Sequence, residues 1–412
     1  MHLTRRACAL ISSAVITVPL ALGTTTAAQA SGSSKADVGD SAQVVIEWQR
    51  ILNTTVYPAM PIPNGVPLLG YTSMAMLDAV DRSLKAGDSS ETAAVATAAH
   101  DVLVHYFPAQ KGTLDARLAT SLASVGDADE KARGSFLGAA SASLMLASRV
   151  GDGFGDTSIH YTLPPGIGVW QPIPPTTDML AAWLGSVDPL VLRRPIRVNG
   201  PDKLTSRGYA KDFAEVKRLG GNAATGSERT QEQTDIAVFF NGNAATMIPD
   251  ALGRNLEASG ALTIRGTALV FARIHAAMAD SIIQSWRLKR DLGFWRPFEA
   301  IQSGDLDGNP ATTGQANWEP LIGKPPYSDY VSGHASLTGP AAEVVRRTLG
   351  DKVTLEMISG TTPVHRTYTS LKALEFDAFH ARIWGGLHFR DAMDDGYRIG
   401  HLTARHVMAD LR

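Results

Sequence analysis

Apolar residues recur at intervals of three and four along most of this chain, and the strict alternation of a half-buried strand is nearly absent. Val44, Trp48, Ile51 and Leu52 begin one such stripe, and alanine-rich helical patterns follow over about 70–86, 91–106 and 129–150. The longest stripe runs through Ala268, Phe271, His275, Met278, Ile282, Trp286 and Lys289, one face of a helix that Gly293 ends. A final stripe carries Met393, Tyr397, Gly400, Ala404, Val407 and Leu411. Two stretches lack helical period: the Pro-rich HYTLPPGIGVWQPIPP across 160–175, and Asp188 to Ser206. No repeat of solenoid length occurs. The pattern predicts an all-α fold of bundled helices, with residues 31–412 as a single domain.

The first thirty residues stand outside that pattern. Arg5-Arg6, an apolar run from Ala7 to Leu22 and the small residues Ala28-Gln29-Ala30 read as a secretion signal with its cleavage site. Thr4-Arg5-Arg6 hints at twin-arginine export, while Ala-Cys-Ala after it fits that signal poorly, so both general and twin-arginine export stay open. Ser31 to Gly39 reads as a disordered lead-in. Beyond Ala30 no run of eighteen apolar residues occurs, so no membrane span is expected and the predicted location is extracellular.

Composition narrows the class. Removing residues 1–30 takes away the only cysteine, Cys8, and leaves 36 basic and 40 acidic residues. The mature chain can form no disulfide and must rely on a packed core. Net acidity without a basic tract argues against a nucleic-acid partner. Asp305, Asp307 and Asn309 resemble a fragment of a calcium loop, but the closing glutamate is missing and a turn is expected. His100 and His105 fall on different helix faces, and no zinc, P-loop or nucleophile-elbow motif occurs.

The chemistry gathers in the last third. KRDLGFWRP holds Lys289 and Arg296, YVSGH holds Ser332, Gly333 and His334, and RIWGGLH holds Arg382 and His388. Three cations, a hydroxyl, a glycine that lets backbone approach and two imidazoles suit a tetrahedral or trigonal-bipyramidal oxyanion. Pro297 suits the first position of a helix, which leaves Arg296 at a helix start where only an anion would favour it. Ser332 is a candidate N-cap for HASLTGPAAEVVRRTLG, which Pro340 either kinks or delays to Thr338. Each fragment alone has a plain alternative: a lysine that reaches water, a turn, a solvated helix end.

Taken in order, Lys, six residues, Arg-Pro, then Ser-Gly-His, then Arg, five residues, His, this region resembles the signature of type-2 phosphatidic acid phosphatases and vanadium-dependent haloperoxidases. The resemblance extends through FWRPFEAIQSGDLDGNPAT, PPYSDYVSGHAS, IWGGLHFRDAMDDG and, upstream, ERTQEQTDIAVFF, which is similar to the soluble bacterial haloperoxidase-like branch. It implies an oxyanion-site module over about 263–412, with vanadate as cofactor and hydrogen peroxide and halide as substrates, an organic acceptor besides, and phosphate as competitor. It implies that Lys289, Arg296, Ser332, Gly333 and Arg382 bind the oxygens, that His388 is the axial ligand, and that His334 moves protons. Trp286 and Tyr327 match the aromatic positions of a halide pocket; a phenylalanine is usual at the second, so Tyr327 favours bromide over chloride.

The same residues would serve a secreted acid phosphatase, with His388 attacking phosphorus and His334 protonating the leaving alcohol. A noncatalytic anion-binding protein is a third reading, disfavoured because binding alone needs no acid–base group. The chain departs from the pattern at Val331, where proline is usual, at Ala381, where serine is, and at Ala392, where an acidic residue usually follows the last histidine. Asp391 lies one position early. That gap weakens the phosphatase reading unless another carboxylate reaches His388.

Overall fold

The computed structural model describes residues 41–412; the secretion signal and the lead-in read from residues 1–40 lie outside the described residues. Five helices come first: α1 (Gln43–Val56), α2 (Ile62–Ala86), α3 (Glu91–Tyr106), α4 (Lys111–Ala123) and α5 (Ala128–Ser148). Ser90 and Asp127 cap α3 and α5 with their side chains, satisfying first-turn N–H groups. The expected stripe at 70–86 is the second part of α2. Pro63 occupies its first turn, where a missing N–H is tolerated, and Pro67 follows inside it, so the helical pattern starts earlier than the apolar period shows.

After the irregular stretch expected over 160–175, α6 (Arg207–Leu219), α7 (Gln231–Phe239), α8 (Met247–Ser259), α9 (Ile264–Leu292) and α10 (Pro297–Gln302) follow. The chain closes with α11 (Ala335–Leu349), α12 (Leu371–Trp384) and α13 (Arg390–Asp410). Between α11 and α12 lies a feature the period did not predict, an antiparallel pair β1 (Leu355–Ile358) and β2 (His365–Tyr368), with Leu355 opposite Tyr368. The fold is all-α otherwise, as expected.

Helix α9 is the spine. It packs on α2, α11 and α13, and twenty of its residues are buried. By length and composition it could cross a membrane, yet 83% of its most apolar window is buried inside the protein, as in the core helix of a bundle. Its polar side chains are held by other elements. His275 Nδ1 lies 2.8 Å from Ser73 Oγ on α2, and Ser285 Oγ lies 2.5 Å from Ser336 Oγ on α11. These contacts fix the axial register of α9, and with it the height of Lys289.

Two local expectations change. Helix α11 starts at Ala335 and runs through Pro340, with His334 rather than Ser332 at the N-cap position; Ser332 Oγ still accepts the Ala335 N–H at 3.4 Å. The DLDGN segment is a turn, as expected: Asp307 Oδ1 accepts the Asn309 N–H at 2.8 Å.

Candidate active site

Lys289 sits in the last turn of α9 and is wholly buried, so it does not reach water. Its Nζ donates to the carbonyls of Ser328 and Asp329, each at 2.8 Å, and Ser328 Oγ donates back to the Lys289 carbonyl at 2.7 Å. The helix end and the segment before Ser332 are thereby locked together. The ammonium also lies 5.1 Å from the Tyr327 ring centre and 5.6 Å from that of Trp286. Those two rings are 5.0 Å apart, and Trp286 Nε1 donates to the Leu180 carbonyl, which sets the indole's orientation. Gly333 packs against the same indole: a Cβ there would come within 2.9 Å of it. Only glycine fits.

Arg296 precedes α10, where Glu299 Oε2 accepts its backbone N–H at 2.8 Å. Its placement has a different cause from the one expected. The buried guanidinium donates to three carbonyls, those of Tyr327 at 2.7 Å, Leu387 at 2.8 Å and Ser328 at 3.3 Å. Arg296 therefore stitches the loop before Ser332 to the loop before His388, and these bonds do not use all of its N–H donors.

Arg382 lies in the last turn of α12 and is buried. One amino group reaches the Phe240 carbonyl at 3.3 Å and Asn241 Oδ1 at 3.5 Å, both long, and its Nε has no hydrogen-bond partner in the protein. His334 is in the same position: its Nε2 is buried and unpartnered. It faces the turn after α7 as well, bonding the Gly242 backbone. The segment ending ERTQEQTDIAVFFNG is therefore a wall of the pocket. Its Thr230 and Gln233 form a reciprocal capping box that fixes the start of α7.

His388 follows a sharp turn. Gly386 has φ 74, and a Cβ there would come within 2.5 Å of the Gly220 carbonyl, so the GG pair both reverses the chain and permits the close approach. His388 Nδ1 lies 2.6 Å from Oδ1 of Asp329, which is fully buried. With Nδ1–H donating to that carboxylate, Nε2 keeps its lone pair free. Sequence reasoning missed Asp329. It stood in the quoted PPYSDYVSGHAS, three residues before Ser332, but nothing in its spacing ties it to a histidine 59 positions later. Asp391 instead accepts the Asp202 N–H at 3.0 Å. The structure thus supplies the carboxylate whose absence weakened the phosphatase reading.

The electrostatics follow from burial. Lys289 is pushed well below its ordinary pKa by burial and by Arg296, and Arg382 is lowered to about 9, again by burial first. Burial raises Asp329 to about 7 although Arg296 and Lys289 oppose it. Both imidazoles are driven well down, by burial and then by nearby cations, Arg382 first for His334 and Arg296 first for His388. Burial works against the charged form of every one of these groups. Lys289, Arg296, Arg382, His334 and His388 lie close enough for their charges to act on one another, with Trp286 and Tyr327 beside Lys289 and Gly333 against the Trp286 indole. Such a site can hold a multiply charged oxyanion, present an imidazole lone pair to its central atom and move a proton through a second imidazole.

Comparison with known proteins fits this geometry. Residues 269–412 match the family model of the VCPO second helical-bundle domain. A stretch of 95 residues is 34% identical to the vanadium chloroperoxidase of Curvularia inaequalis; it is 21% of this chain and spans only 15% of that protein. A bacterial vanadium-dependent iodoperoxidase structure superimposes with a TM-score of 0.73 at 17% identity, over 92% of this chain and 99% of that one. The holo form of a bacterial vanadium-dependent chloroperoxidase gives 0.65 at 15% identity, over 92% and 94%.

Proposed function

We propose that this chain, which by its fold and its C-terminal sequence belongs to the superfamily of vanadium haloperoxidases and type-2 phosphatidic acid phosphatases, is a haloperoxidase that uses vanadate, hydrogen peroxide and halide. The carrying observation is the pair of buried, unpartnered polar atoms, Arg382 Nε and His334 Nε2, beside two further buried cations. A buried donor without a partner is unfavourable by about 1–3 kcal/mol, more when charged, so the pocket is built for a ligand the protein itself does not supply.

The residues present fit vanadate. Arg382 and the unused part of the Arg296 fork would neutralise its oxygens, Lys289 adds a third positive charge, and Ser332 adds a hydroxyl. Gly333 keeps the backbone close, and His388 would offer its Nε2 lone pair, with Asp329 holding the ring. When bound, vanadate supplies Lewis acidity that activates hydrogen peroxide towards halide. His334 takes and returns protons at Nε2. In the net reaction halide gives two electrons to the peroxide O–O bond, hypohalous acid forms and water leaves. Trp286 and Tyr327, in tilted contact beside Lys289, would line the halide's position. Tyr327 supports bromide over chloride. An exported location, from residues 1–30, completes the proposal.

The test is reconstitution with orthovanadate and peroxide-dependent halogenation of monochlorodimedone with iodide, bromide and chloride in separate arms. Bromide should be turned over, with chloride slower or inactive. Asp329 gives the phosphatase reading its own support, because a carboxylate-held histidine suits attack on phosphorus. Vanadate-loaded protein that oxidises no halide, while vanadate-free protein hydrolyses p-nitrophenyl phosphate, would put that reading in place of this one. Phosphate should compete with vanadate in either case.

A further inference from the structure

Nine and five residues before Lys289, α9 turns two polar side chains the other way. Asp280 Oδ1 accepts the N–H of Leu190 at 2.6 Å, and its Oδ2 accepts those of Val191 at 3.0 Å and Leu192 at 2.7 Å. Gln284 clamps Ile196 from both sides, accepting its N–H at 2.8 Å and donating to its carbonyl at 2.7 Å. Ile196 and Val198 pack against a small core cluster that includes Tyr330 and Ile399, and Tyr330 Oη accepts the Gly200 N–H at 3.1 Å. A stretch without secondary structure is thus pinned at Leu190, Ile196, Val198 and Gly200. Arg193, Arg194 and Arg197 lie between these anchors and point to solvent.

With Arg398 and His406 of α13, these arginines line an open cavity of about 440 Å³. Arg398 is tied to the loop through its Nε, which donates to the Arg197 carbonyl at 3.3 Å. Asp410 is the one carboxylate on the lining, and among the described residues none of the four guanidiniums makes an ion pair. Elsewhere the chain handles crowded arginines differently: Arg346, Arg347 and Arg405 all converge on Glu343. On a chain of net charge −2, four guanidiniums without an ion pair around one cavity favour an outside anion.

We infer that this arginine loop is a second anion site, distinct from the buried pocket, for a small molecule bearing two or more phosphate or sulfate groups. Guanidinium forks match tetrahedral oxyanions two oxygens at a time, and four of them around one cavity exceed what a single such group can use. The loop's anchors fix its backbone before the ligand arrives, which removes an ordering cost. The cavity opens to solvent and shares no residue with the vanadate-type pocket, so the inference is independent of the proposed reaction.

The experiment is calorimetric titration of the full chain with tripolyphosphate and, separately, sucrose octasulfate, with orthophosphate present to fill the buried pocket. At least one probe should bind, with affinity falling as salt rises. Binding by one probe alone supports the site and assigns phosphate or sulfate as the group it prefers. The triple variant Arg193→Ala/Arg194→Ala/Arg197→Ala should lose about tenfold or more in affinity, and Arg398→Ala a smaller factor. Both variants should keep the parent's vanadate affinity, which separates failure of this site from failure of the buried one. Absence of binding by the parent to either probe, or parental affinity in both variants, overturns the inference.

Discussion

At the residue scale the two histidines divide the labour, and substitution should separate them. His388→Ala removes the lone pair aimed at the central atom, so vanadate binding, followed by vanadium analysis of the dialysed protein, should collapse together with activity. His334→Ala removes a proton carrier, so vanadate should bind more weakly but measurably while turnover falls by about a hundredfold or more. The opposite split would reverse the two roles. Arg382→Ala should weaken vanadate by roughly two kcal/mol or more, since its Nε has no other partner to satisfy. Asp329→Asn keeps a hydrogen-bond partner for His388 but removes its charge. An affinity loss of about ten- to a hundredfold is expected, the scale for a partner that holds a ligand; parental affinity would reduce Asp329 to a packing role. The motif residues were legible because chemistry and order identified them together. Asp329 was not, because a contact across 59 positions leaves no local spacing. The carbonyl contacts of Arg296 were not legible either, because backbone acceptors leave no trace in a sequence.

At the element scale, period alone found the helices whose apolar stripe is long: α3, α5, α9 and α13 lie close to their expected ranges. It was silent on α6 to α8, where the stripe is interrupted by charged and small residues; α6 buries Tyr209, Phe213, Val216 and Leu219 on an otherwise polar segment. The pair β1 and β2 spans four residues each, too short for alternation to stand out. His275 belonged to the apolar stripe of α9, and it is there as a neutral core group. Burial lowers its pKa to about 3, and its Nε2 has no partner. The folded state therefore binds its proton less readily than the unfolded state does. Its contribution to stability is intact above about 6.5 and is lost as pH falls from there towards 3, on the order of several kcal/mol in all. Replacing His275 with Leu should move the midpoint of acid unfolding, followed by circular dichroism, to lower pH. A midpoint that stays in place would show that His275 is not among the groups that drive acid unfolding.

At the scale of the whole molecule, the pocket is where parts distant in the sequence meet. Lys289 ends α9, Arg382 ends α12, His388 precedes α13, and the turn after α7 closes over Arg382 and His334. Without a ligand these elements converge on mutually repelling cations, and burial pushes each group away from its charged form. An oxyanion reverses that balance, and it binds only the folded chain because no unfolded segment carries the set. Linkage then makes stability depend on ligand concentration: free vanadate at about a hundred times its Kd should add roughly 2.7 kcal/mol to unfolding. For a chain of this length that is a rise in Tm of several degrees. Orthophosphate should produce a smaller rise through the same residues. His388→Ala and Arg382→Ala should abolish or reduce both shifts, while the triple arginine-loop variant should keep them. A vanadate-dependent rise in Tm that survives in His388→Ala at full size would place the stabilising anion outside the pocket, and with it the claim that these four elements are assembled around one ligand.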